Sequence, residues 1–72
     1  MDEKTKKEKF NTIATNRTNK ILDMLRLLGN CSNTSNYSYT DEEVKKIFDA
    51  IEKEVKEQKA KFNRKDKKKF SL

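Results

Sequence analysis

Residues 40–62, TDEEVKKIFDAIEKEVKEQKAKF, decide the fold class of this chain. Thr40 followed three residues later by Glu43 is a capping box. The Thr40 hydroxyl is placed to accept from the Glu43 amide, and the Glu43 carboxylate to reach back to the Thr40 amide. Asp41, Glu42 and Glu43 put three negative charges in the first turn, where the helix dipole favours them. Tyr39 and Val44 stand at the two positions of a hydrophobic staple. Behind this start, Val44, Ile47, Phe48, Ile51, Val55, Gln58 and Phe62 fall within about 100° of arc, the width of a core-facing stripe. Lys45, Lys46, Glu52, Lys53, Lys56 and Lys59 occupy the opposite face, and neither Gly nor Pro interrupts the run. The spacing predicts a helix over 41–62.

Working back towards the N-terminus, Phe10, Ala14, Arg17, Ile21, Met24, Leu25 and Leu28 form a second stripe at helical spacing, predicting a helix over about 10–29. Asn11, Thr12, Thr15, Asn16, Thr18 and Asn19 are poor helix formers, so its first half is expected to be weak. Gly29-Asn30 offers a left-handed C-terminal cap. Residues 30–40 lack helical periodicity and are dense in Ser and Asn, which makes them a loop. The charged stretch 1–9 is expected to fray, and 63–72 to form a basic tail.

The fold class is therefore all-α, an antiparallel two-helix hairpin. A chain of 72 residues, 32% hydrophobic and 42% charged, holds little core. Ile21, Leu22, Met24, Leu25, Leu27 and Leu28 make the end of the first helix apolar almost all round, and such a helix needs cover on more than one side. Self-association into a four-helix bundle supplies that cover, with Ile21, Leu22, Leu25, Leu27 and Leu28 as the homodimer interface. The alternative is that the Tyr37/Tyr39 loop folds back over Leu22 or Leu27.

Catalytic chemistry finds little to work with. The chain has no His, one Gly and one Cys. The commonest general base is missing, as are a glycine-rich phosphate loop and any Cys/His ligand set. No cofactor, metal or catalytic residue is expected. Cys31 cannot bridge within the chain, and a lone cysteine suggests a reducing, cytoplasmic setting. No apolar run approaches a membrane span. The charged N-terminus lacks the apolar region of a signal peptide.

The charge distribution carries the strongest functional hint. Lys59, Lys61, Arg64, Lys65, Lys67, Lys68 and Lys69, set against Asp66, hold a surplus equal to the whole net charge of +6. Cations at a helix C-terminus complement its dipole. A block this dense also suits DNA or RNA backbone, an acidic protein or an anionic surface. Arg64, Lys65, Lys67, Lys68 and Lys69 are the candidate phosphate contacts. Arg17, alone among charges on the first stripe, either anchors an acidic partner or snorkels at a bundle edge, where Glu57 is a possible mate. Tyr37 and Tyr39 are either partner-binding residues or seals for the end of the hairpin.

Arg17-Thr-Asn-Lys20, Leu25-Arg-Leu-Leu-Gly-Asn30, Ser35-Asn-Tyr-Ser-Tyr-Thr40 and Val44-Lys-Lys-Ile-Phe48 together resemble small uncharacterised helical proteins of Gram-positive plasmids, phages and conjugative elements. The resemblance covers about residues 10–62 and implies a bacterial mobile-element protein. It implies no activity and no site residues.

Overall fold

A computed structural model describes residues 2–63. Two α-helices account for most of them, α1 over Glu3–Asn30 and α2 over Asp41–Phe62, and the described residues contain no strand. The chain divides into two compact units, Met1–Ser38 and Tyr39–Leu72, each built around one helix.

In the first unit, α1 starts seven residues before the expected Phe10. Asp2 is its N-cap, with extended backbone, and its Oδ1 accepts from the Thr5 amide at 2.9 Å. That bond satisfies a donor every helix start leaves open. Glu3 then adds a favourable charge to the first turn and lies 4.0 Å from Lys6. Lys4, Lys6, Lys7, Glu8 and Lys9 are straight-chain residues that lose little freedom in a helix. Residues 3–9 are therefore helical, although they carry no apolar stripe. The weak middle of α1 also stays helical, with Asn11 to Asn19 inside one continuous element of 28 residues.

The end of α1 differs from expectation as well. The helix runs through Gly29 and Asn30, and no described residue has a positive φ. Cys31 caps it at φ −71° and ψ −4°, in the right-handed region. The Cys31 amide donates to the Leu28 carbonyl at 3.0 Å, and the Ser32 amide to the Gly29 carbonyl at 3.1 Å. Tightened i→i+3 bonds thus satisfy the last carbonyls without a left-handed residue. After them, Asn33 organises a compact turn. Its Oδ1 accepts from the Ser35 amide at 2.9 Å, and its carbonyl from the amides of Asn36 and Tyr37. This Asx turn substitutes side-chain acceptance for a backbone partner.

In the second unit, the expected capping box is complete. The Glu43 amide donates to Thr40 Oγ1 at 3.0 Å, and the Thr40 amide to Glu43 Oε1 at 2.9 Å. Along the helix, Lys45 Nζ meets Asp49 Oδ2 at 2.8 Å, and Gln58 Nε2 donates to Glu54 Oε2 at 2.6 Å. Asn63 closes α2 through its amide on the Ala60 carbonyl at 3.1 Å. Lys59 and Lys61 lie in the last turn, where positive charge complements the dipole.

Neither helix contains a buried residue. Ala14, Leu28, Val44 and Ile51 are half-buried, and every other described residue is exposed. All four belong to the two expected stripes.

Candidate functional site

The surfaces a partner can reach are those the helices leave open. At the end of α1, Leu28 is half-buried, while Leu22 and Leu25 stand 40% and 37% exposed. Ile21 and Leu27 are more open still, at 59% and 57%. An apolar side chain left this far in water forgoes most of the stabilisation its burial would supply. The five residues expected at a dimer interface thus lie on one continuous helix, on more than one of its sides.

Continuity of α1 through Asn11–Asn19 exposes a face that sequence reasoning missed. Asn11, Thr15, Thr18, Leu22, Leu25 and Gly29 follow one another at alternating spacings of four and three, and fall within about 80° of arc. All six are uncharged and exposed. The charges of the same stretch, Arg17, Lys20, Asp23 and Arg26, lie outside that arc. Arg26 Nη1 pairs with Asp23 Oδ1 at 2.9 Å, which draws its head away from the row. Read singly, Asn and Thr signalled only poor propensity; they became a face once the helix proved unbroken.

Arg17 is exposed and enters none of the ion pairs among the described residues, which are Lys6–Glu3, Arg26–Asp23 and Lys45–Asp49. Tyr37 and Tyr39 fall on opposite sides of the division between the two units. Tyr37 follows the Asn33 turn at 52% exposure. Tyr39 stands at N′ of α2, and with Glu43, Lys46 and Ile47 it lines a shallow, open depression. Those neighbours belong to the first two turns of its own helix, and Val44, the other staple position, is not among them.

Cys31 is exposed, with its Sγ 4.0 Å from the Leu27 carbonyl. Among the described residues no three His, Cys, Asp or Glu converge to hold a metal, and no helix is long and apolar enough to cross a membrane. Arg64, Lys65, Lys67, Lys68 and Lys69 lie outside the described residues; of the basic block, Lys59 and Lys61 lie within them. No family model, curated protein or solved structure matches the chain.

Proposed function

We propose that this chain is a small non-catalytic binding protein, a cytoplasmic accessory factor of a bacterial mobile element. In this reading it folds as an antiparallel hairpin, self-associates into a four-helix bundle and contacts nucleic acid through its basic C-terminal end. One observation carries the binding role: two well-capped helices present apolar stripes, yet no described side chain is buried. Helices of this kind gain most of their stability from packing a face against something.

Spacing supports the hairpin. The positions Phe10, Ala14, Arg17, Ile21, Met24 and Leu28 repeat at the same alternation of four and three as Val44, Phe48, Ile51, Val55, Gln58 and Phe62. Laid antiparallel, they match layer for layer, from Leu28 with Val44 through Ile21 with Ile51 to Phe10 with Phe62. On one flank of that alignment Lys20 would meet Glu54. A seam with this heptad alternation is what paired helices use.

Charge supports the nucleic-acid contact. The whole net charge of +6 resides between Lys59 and Lys69. Cations concentrated this way gain affinity for phosphate backbone by releasing counterions, with little dependence on base sequence. Chromatography with light scattering, with and without a short DNA duplex, tests the proposal. Co-migration at low salt that is lost at higher salt is the expected result, and a chain that ignores the duplex at low salt refutes it. A second reading, a protein adaptor, draws on the exposure of Tyr37 and Leu22. It predicts that a protein partner survives deletion of residues 63–72 and is lost on Tyr37→Ala.

A further inference from the structure

We propose that the uncharged row of α1 docks the same row of a second copy, with the two helices antiparallel about a two-fold axis near residue 20. This deepens the self-association reading and rests on it. A two-fold contact sets one patch against itself, so any charge within it is buried twice, once in each copy. In a chain that is 42% charged, this row holds six consecutive seam positions without a charge. The nearest rim cation, Arg26, is already committed to Asp23.

Side-chain volume selects the orientation. Antiparallel alignment about residue 20 sets Thr18 against Leu22 of the second copy, Thr15 against Leu25, and Asn11 against Gly29. Every layer then joins a smaller side chain to a larger one, the combination that fills an interface evenly. Parallel alignment would stack Leu on Leu in two layers and leave Gly facing Gly in a third. Gly29 is otherwise unexplained. Its φ is not positive, and a Cβ built there meets nothing within 4 Å. Among the described residues, neither its backbone conformation nor a neighbouring atom calls for glycine at that position. The approach of a second backbone does. Leu27, by contrast, lies off the row and takes no part in the contact.

The test uses the full chain carrying Cys31→Ser, with mass measured by light scattering across a dilution series. The expected result is a dimer that Thr18→Lys weakens by about tenfold or more, because it buries a charge against its own copy. Lys is a better helix former than Thr, so loss of the dimer cannot be put down to a failed helix. Leu27→Lys is expected to leave the dimer intact. Orientation is read by disulfide formation: Thr18→Cys mixed with Leu22→Cys should cross-link faster than either variant with itself. A monomer at every concentration, a dimer indifferent to Thr18→Lys, or faster self-pairing of each cysteine variant would each overturn the proposal. DNA binding is scored separately. A dimer that ignores duplex refutes only the nucleic-acid reading; a dimer indifferent to Thr18→Lys refutes only this contact; a monomer that binds duplex refutes self-association and this contact together.

Discussion

Gly29 and Thr40 show how much a single position decides where no described residue is buried. Thr40 uses both its hydroxyl and its amide to close the start of α2. Thr40→Ala removes the hydroxyl acceptor and leaves the Glu43 amide to water. It should cost about 1 kcal/mol, read as lower helicity and a lower thermal midpoint by circular dichroism. Gly29→Ala acts in the opposite direction on the isolated chain. The added methyl is unobstructed and φ is not positive, so the substitution should raise helix stability by up to about 1 kcal/mol in dilute solution. At concentrations where copies associate, the same methyl stands in the proposed contact. Apparent dimer affinity should therefore fall while monomer helicity rises.

At the scale of elements, α1 and α2 differ in how they are held. The start of α1 depends on one carboxylate, since Asp2 accepts from the Thr5 amide. Hydrogen bonds from the Thr5 backbone and side chain hold the Asp2 carboxyl below its ordinary value of 3.8. A group whose pKa is depressed on folding contributes its stability above the unfolded value. That contribution is lost as pH falls through the folded one. The first turn of α1 should accordingly loosen below about pH 3.8, seen as faster hydrogen exchange at the Thr5 amide. Asp2→Asn, which keeps an acceptor without a titrating group, should remove that dependence.

The two helices were also unequally legible from sequence. All of α2 could be read, because a capping box, acidic first turn and unbroken stripe agree on one answer. The body of α1 was legible from its stripe. Its first seven residues were not, because a segment polar all round gives no periodicity to detect. Its C-terminal cap was misread for a different reason: Gly and Asn permit a left-handed residue without requiring one, and i→i+3 bonds settled the end instead. The row on α1 stayed hidden because each Asn and Thr reads as a helix breaker until the helix is known to continue.

For the molecule as a whole, the decisive fact is that no described side chain is buried. Folded chains of this size already sit near the limit of what one core can stabilise. Anything that binds the folded form adds to its stability by mass action. Helicity and thermal midpoint should therefore rise with protein concentration, and a flat concentration series would show that the lone chain suffices. The charge distribution makes a separate prediction. If the basic block contacts phosphates, the logarithm of affinity for duplex should fall linearly with the logarithm of salt, by about 0.9 per phosphate neutralised. Removing residues 63–72 should flatten that slope, and fluorescence anisotropy across a salt series measures both.

The early start of α1 also has a geometric consequence. Glu3–Lys9 adds seven residues of helix, about 10 Å of length at 1.5 Å per residue, ahead of the first apolar position at Phe10. A label placed at Asp2 is thus joined through a strut of defined reach. A donor dye there, paired with an acceptor on the exposed thiol of Cys31, spans the full helix. Across 28 residues, about 42 Å end to end, that pair turns α1 into a ruler whose shortening reports the helix coming apart.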